Sequence, residues 1–256
     1  MWSSQRYRAL GREKGRDDDL LERASTAIEN FIDLNPKLPP LLTLGHLAQR
    51  SGVSWYWLRR YVEGTPEAYS HFRIRKRSGG HRVISVPEEK LKIVQRWIAA
   101  YILQEIPVHA ASCAFTKKCS IVACASQHRN ARWLVKMDVS AFFGSISAIQ
   151  VYRVFLEAGY SRLVAFELAQ ICTYAPDKSE RYGQPNWTRW PVLGASYPYR
   201  KQRIGYLPQG APTSPMLSNL VMRETDKAIA KIARDAGLTY TRYSDDITFS
   251  TTEDFN

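Results

Sequence analysis

The sequence predicts an α+β fold, a small antiparallel sheet flanked by helices, and three features of the text lead there. Residues 71 to 87, HFRIRKRSGGHRVISVP, alternate Phe72 and Ile74 with Arg73 and Arg75, turn at Ser78-Gly79-Gly80, and resume with Val83, Ile84 and Val86, the pattern of a β-hairpin. Residues 239 to 251, TYTRYSDDITFST, place Ser244-Asp245-Asp246 between two runs rich in Thr, Tyr, Ile and Phe, and read as a second hairpin. Most of the remaining text has apolar residues at three- and four-residue spacing, the period of helices. Strands paired in hairpins, with helices before and between them, give an antiparallel sheet flanked by helices.

The 256 residues, 45% hydrophobic and 23% charged, can bury a sizeable core. Thirty-six Lys and Arg against 24 Asp and Glu give a net charge of +12, which points to nucleic acid as the partner and only secondarily to a membrane surface. No apolar run approaches the roughly 18 residues of a membrane span, and the first residues lack the apolar stretch of a signal peptide. A cytoplasmic protein with no membrane partner is expected. Cys113, Cys119, Cys124 and Cys172 do not make a disulfide framework. With His109 and His128 the first three are candidate zinc ligands, but spacings of five and four intervening residues miss the close-pair signature, so buried free thiols are expected.

Along the chain, residues 1 to 20 are polar and charged and read as a solvated lead-in, with ordered structure starting near Leu20. Leu41 to Val62 gives two short helices joined at Ser51-Gly52-Val53, with Thr43 and Ser54 as N-caps, the outline of a helix-turn-helix. The second of these helices carries Trp55, Tyr56, Trp57 and Leu58, which read as packing residues rather than as a DNA-reading surface. The first hairpin has a basic face and feeds a helix with Leu91, Val94, Ile98, Tyr101 and Ile102 on one side and Lys90, Lys92 and Arg96 on the others. Lys76 and Arg77, just before its turn, add to this cationic track, which suits a phosphate backbone. Trp133 to Met137 form a short apolar strand ending on Asp138. Helical text runs from about Ile149 to Tyr174, and residues 175 to 203, with four prolines, read as a long loop or insertion. Thr213 or Ser214 then caps a helix with Pro215 at its first position, a buried stripe of Leu217, Leu220, Val221, Ala228, Ile229 and Ile232, and Gly237 as its stop.

Adjacent carboxylates at a hairpin tip raise each other's pKa unless a cation neutralises them, and Asp138 supplies a third acid where burial without a partner would be costly. Asp138, Asp245 and Asp246 offer hard oxygen ligands suited to Mg²⁺, which keeps waters and takes further ligands from a substrate phosphate. Two such ions about 4 Å apart would stabilise the attacking and leaving oxygens of a phosphoryl transfer. By itself, Asp-Asp on a turn is a weak signal, because turns favour Asp for conformational reasons.

Together, MDVSAFFGSI around Asp138, LPQGAPTSPMLSNL at 207 to 220 and YSDD at 243 to 246 resemble the three palm motifs of reverse transcriptases, in order. Residues 77 to 98, RSGGHRVISVPEEKLKIVQRWI, resemble the fingers motif of bacterial reverse transcriptases, most closely those of retrons. The resemblance implies a right-hand polymerase, with an N-terminal helical region over 1 to 66, fingers over 67 to 132 and palm over 133 to 256, the text stopping before a thumb. It implies two Mg²⁺ ions, with Mn²⁺ as a possible substitute, held by Asp138, Asp245, Asp246 and the Val139 carbonyl. Phe143 stands where the family places the ring that crowds the sugar 2′ position, though spacing alone also allows a core aromatic beside Phe142. Gln209 and Gly210 match the turn lining the nucleotide pocket, and Arg73 or Arg75 and Arg82 match fingers residues over the triphosphate. Lys76, Arg77, Lys90, Lys92 and Arg96 would contact nucleic acid.

Three positions depart from the retron pattern. Cys124 replaces Asn in the Asn-Ala-x-x-His text that ends on His128, Ala141 replaces a common acid, and Ser244 a common Ala. None removes a metal ligand. The implied activity is RNA-directed DNA synthesis, with deoxynucleoside triphosphates, a structured RNA template and primer, and a DNA product as partners. In a retron, synthesis starts from an RNA 2′-hydroxyl and leaves a branched RNA-linked DNA, within a phage-defence system that has a separate effector protein. A group II intron or diversity-generating reverse transcriptase would share the palm motifs. From another class, the basic hairpin and the paired helices suit a non-catalytic nucleic-acid-binding protein.

Overall fold

A computed structural model of the chain describes residues 3–64, 67–75, 79–117, 119–175 and 204–254. Lys76, Arg77 and all but residue 175 of the expected insertion lie outside the described residues. Among the described residues the fold is mixed helix and sheet, with one two-stranded and one three-stranded antiparallel sheet. Among the described residues no helix is long and apolar enough to cross a membrane.

The charged start is not a solvated lead-in. It forms helix α1 (Ser4–Glu13) and the first turn of α2 (Asp18–Leu34). The Ser3 hydroxyl caps Arg6 N and the Asp17 carboxylate caps Leu20 N, while Asp18 and Asp19 complement the positive end of the α2 dipole. Gly11 is where the two helices touch, since a Cβ there would stand 2.2 Å from the Leu21 side chain. Helices α3 (Leu44–Ser51) and α4 (Trp55–Glu63) form the expected pair, turning at left-handed Gly52. Thr43 caps His46 N, whereas Ser54 makes no side-chain cap bond. Leu58, Tyr61 and Val62 bury the inner face of α4, but Trp55 and Tyr56 are exposed rather than packed, because they fall on its outer side.

Strands β1 (Tyr69–Arg75) and β2 (His81–Pro87) form the first hairpin, and α5 (Glu89–Tyr101) follows with Leu91, Val94 and Ile98 fully buried. After a short helix α6 (Ile121–Ser126), β3 (Trp133–Asp138) leads through α7 (Phe142–Ser145) to α8 (Ala148–Glu157) and α9 (Arg162–Cys172). The helical text of 149 to 174 is thus two helices, broken at left-handed Gly159. The helix expected from Thr213 to Gly237 is also two, α10 (Ser214–Val221) and α11 (Arg223–Asp235). They part at Met222 because α10 packs on α8 and α11 packs under the sheet. In α11 the buried positions are Asp226 and Ala233, not Ala228 and Ile232, which are exposed.

Strands β4 (Thr239–Tyr243) and β5 (Asp246–Thr251) complete a sheet of order β3-β5-β4. One apolar core runs from Leu41 through α5, α8 and α9 to Leu220, and a smaller one under the sheet holds Ala111, Ala233, Tyr240 and Ile247. All four cysteines are free thiols, and Cys113, Cys124 and Cys172 are buried.

Candidate active site

Register decides what the three-stranded sheet presents. Asp138 pairs with Asp246, Lys136 with Thr248 and Leu134 with Ser250, while Tyr243 pairs with Asp246 and Thr241 with Thr248. Directly opposed residues share a face, so one face, mostly polar, carries Asp138, Asp246, Tyr243, Lys136, Thr241, Thr248, Leu134, Thr239 and Ser250. The other carries Tyr240, Arg242, Ile247 and Phe249 and closes on α11. At one end of the polar face the His128 ring ties two strands together, with Nδ1 2.6 Å from Ser250 Oγ and Nε2 2.7 Å from Thr241 Oγ1. Burial between these groups holds His128 below the usual imidazole pKa.

The acids sit at the opposite end. Ser244 and Asp245 form the two-residue turn, with Ser244 in the left-handed region (φ 60°), a position that turns of this kind usually give to glycine. Asp246 is the first residue of β5, not part of the tip itself. The Val139 N–H donates to the Asp245 carbonyl at 3.0 Å, so the backbone gathers Asp138, Val139, Asp245 and Asp246 at one corner. Their side chains are exposed or half-buried. The expectation of a buried acid at Asp138 fails because β3 is an edge strand whose six residues are all exposed. Lys136 Nζ stands 3.1 Å from Asp246 Oδ1 and supplies the neutralising cation in this structure. Among the described residues no three His, Cys, Asp or Glu side chains stand close enough together to hold a metal ion.

A buried network fixes this corner from behind. Arg242 and Asp226 are wholly buried and paired, Nη2 to Oδ2 at 2.6 Å and Nε to Oδ1 at 2.7 Å, and the Tyr240 hydroxyl also donates to Oδ1 at 2.7 Å. Arg242 Nη1 donates to the Ser244 carbonyl at 2.8 Å and to Asn219 Oδ1 at 3.2 Å. Its guanidinium carbon lies 5.8 Å from the Phe142 ring centre. The turn that carries the acids and the short helix that carries Phe143 therefore rest on one side chain.

The first hairpin meets the site through its backbone. The Ser85 N–H donates to the Gln209 carbonyl at 2.7 Å, and a Cβ on Gly210 would stand 2.9 Å from the Ser85 carbonyl oxygen and 3.0 Å from Ile84 Cγ2. Gly210, at φ 118°, is required both by its conformation and by this approach. The hairpin does not have one basic face. Arg82 pairs with Ile74 and Arg73 with Val83, so Arg82 shares the Ile84 side that meets the Gln209–Gly210 turn, and Arg73 and Arg75 lie on the other. Phe143 is half-buried against the core, its ring 5.5 Å from Phe142. Lys92 pairs with Glu89 at 3.6 Å, while Lys90 and Arg96 are exposed without an ion partner among the described residues.

The family described as reverse transcriptase (RNA-dependent DNA polymerase) matches residues 74–254. The chain belongs to this family. It is similar to the retron Mx65 and Mx162 reverse transcriptases of Myxococcus xanthus, 36% and 34% identical over 83% and 79% of the chain, and to the retron Ec86 reverse transcriptase of Escherichia coli, 30% identical over 89%. The matches cover 48%, 39% and 63% of those relatives, so the chain spans about half their length. A solved chain of a "Partial Cas6-RT-Cas1--Cas2 complex" aligns over 90% of this chain and 37% of its own, at 16% identity with a TM-score of 0.39, too low to bear on fold or site.

In this reverse transcriptase chain, sequence reasoning missed Lys136 and the Arg242–Asp226 pair. The period-2 rule does put Lys136 beside Asp138 on one face, which was the available signal. For Arg242 there was none, because an arginine in an alternating strand reads as solvent-facing.

Proposed function

We propose that the chain is the fingers and palm of an RNA-directed DNA polymerase of the retron type, adding deoxynucleotides to an RNA-primed, structured RNA template. The observation that carries this reading is the pairing of Asp138 with Asp246 beside the Asp245 turn, on the polar face of the sheet. The donors there are all oxygen, three carboxylates and the Val139 carbonyl, the chemistry that Mg²⁺ or Mn²⁺ takes, and they are open enough to share ligand positions with water and a triphosphate; the carboxylates, which do not stand close enough to hold an ion together, would draw in around it. Bound ions would stabilise charge on the attacking and leaving oxygens of the transfer.

The protein's own residues do the rest. Lys136 screens the acids in the absence of ions and must yield Asp246 when they bind. Arg82, on the side of the hairpin that meets the Gln209–Gly210 turn, reaches toward the triphosphate, and Arg73 and Arg75 on the opposite side track the template strand with Lys76, Arg77, Lys90, Lys92 and Arg96. Phe143, held by Phe142, excludes a sugar 2′-hydroxyl. Similarity to proteins named as retron reverse transcriptases supports the retron type; a branched RNA-linked DNA product, a cytoplasmic setting and a defence system with a separate effector protein belong to the same proposal.

The test is extension of a primed RNA by the full-length protein with deoxynucleotides in Mg²⁺. Extension that is lost in Asp138→Asn and in Asp245→Asn, with RNA affinity kept, is the expected result. Nucleic-acid binding without extension in either Mg²⁺ or Mn²⁺ would leave a binding protein in place of a polymerase.

A further inference from the structure

At the C-terminal end of α5, a hollow of about 440 Å³ is lined by Lys37, Leu38, Pro39, Arg50, Trp97 and Tyr101. Nothing in the catalytic reading uses it. Lys37 and Arg50 are exposed and have no carboxylate partner among the described residues, so two cations converge on one concavity with no internal anion to satisfy them. Trp97 and Tyr101 stand one turn apart, ring centres 5.2 Å from each other and planes inclined by 32°. Tyr101 is 58% exposed, enough to offer a ring face for stacking.

The opposite wall is preformed. The Tyr160 hydroxyl donates to the Pro39 carbonyl at 3.1 Å and the Leu38 N–H donates to the Asn35 carbonyl at 3.0 Å, so the segment bearing Lys37 is pinned before any ligand arrives. The hollow also continues a surface track. Lys90, Ile93, Trp97 and Tyr101 follow the three- and four-residue spacing of one helical stripe over about 16 Å. Ile93 is exposed and Lys90 is exposed without an ion partner, so the stripe runs from the basic hairpin to the hollow.

We propose that this hollow binds one nucleotide of an unpaired nucleic-acid strand, with the base stacked on Tyr101 and Trp97 and the phosphate between Lys37 and Arg50. Aromatic faces with flanking cations are the chemistry that holds single strands, because every base has a π-face and every linkage a charge. A duplex keeps its bases stacked on each other and cannot supply one. The volume suits a nucleotide and not a helix of nucleic acid. The ligand class rests on the proposed polymerase reading, but binding here needs neither catalysis nor metal.

The experiment measures binding of labelled 12-nucleotide oligo-rU and oligo-dT by fluorescence anisotropy to the full chain in EDTA, without nucleoside triphosphates. Its failure therefore leaves the polymerase reading untouched. Tyr101→Ala should weaken binding by about tenfold, and Lys37→Gln and Arg50→Gln should each lower the salt-dependence slope by about 0.7. Whichever oligomer shows these losses identifies the strand. Crosslinking with a 4-thiouridine or 4-thiothymidine oligomer should label the peptide carrying Trp97 and Tyr101, a readout that does not depend on any variant folding. Three results would each overturn the proposal: crosslinks only elsewhere, a duplex that competes as well as the single strand with Tyr101→Ala neutral, or uridine monophosphate alone that competes as well as the oligomer.

Discussion

Replacing Arg242 by Met is the sharpest test of how the acidic turn is held. Methionine keeps most of the side chain's bulk but removes the donors to Asp226, Asn219 and the Ser244 carbonyl. Asp226 would be left wholly buried with the Tyr240 hydroxyl as its remaining side-chain donor among the described residues, and stranding one member of a buried ion pair typically costs about 3–5 kcal/mol. That is a large part of the roughly 5–15 kcal/mol that holds an ordinary domain together. Asp226→Asn should fall in the same range, since it strands the guanidinium instead. The double variant Arg242→Met/Asp226→Asn leaves neither charge alone and should lose clearly less than the sum of the two. Urea denaturation followed by circular dichroism gives all three values. Single losses below about 1 kcal/mol, or losses that simply add, would refute the claim that the pair is one buried unit. Arg242→Lys separates charge from geometry: one ammonium can still face Asp226 but cannot also span Asn219 and the Ser244 carbonyl, so only partial rescue is expected.

Three further outcomes follow from the geometry. Phe143→Val should raise the efficiency of ribonucleotide relative to deoxynucleotide incorporation on one template, because in the proposed pocket the ring would exclude the 2′-hydroxyl sterically and make no polar contact; an unchanged ratio in an active, folded variant would return Phe143 to the core. Arg82→Gln should raise the KM for deoxynucleotide more than it lowers template affinity, whereas Arg75→Gln, on the other side of the hairpin, should reduce the salt dependence of RNA binding; identical effects of the two would mean that the register does not sort their roles. Burial raises Glu167, on α9, to a pKa of about 7, with Arg59 opposing the shift. A raised folded pKa means that the native state holds the proton more tightly, so this stabilisation is present below the unfolded carboxyl range and is lost as pH climbs through 7, by roughly 3 kcal/mol. Glu167→Gln should flatten the fall in stability between about pH 4.5 and 7, and a profile that keeps the wild-type slope would remove Glu167 as its source.

What could be read from the text and what could not divide along a physical line. Local chemistry was legible: Thr43 as a cap, Pro215 opening α10, the glycine turn at Gly52, and alternation in both hairpins all depend on residues within a few positions. Pairing register was not legible, because alternation fixes which residues share a strand face without saying which residue sits opposite, and so Arg82 was grouped with Arg73 and Arg75. The charged start was misread because a cap and one glycine contact decide α1, while composition averages over both. Strand β4 is the most instructive case. Tyr240, Thr241 and Arg242 are buried in succession, which no half-exposed strand allows. It happens because Tyr240 and Arg242 face Asp226 of α11 while Thr241, on the opposite side, meets the His128 ring. The same pairing explains the error in α11, where apolar Ala228 and Ile232 outvoted an acid for the inward position. Hydropathy counts each charge as a reason for exposure, and two charges that cancel inside a protein are invisible to it until the residues sixteen positions apart are seen to meet. A sheet that must present like-charged acids on one side needs a rigid support on the other, and a buried arginine with several acceptors gives the turn that rigidity in a way that apolar packing, which has no direction, does not.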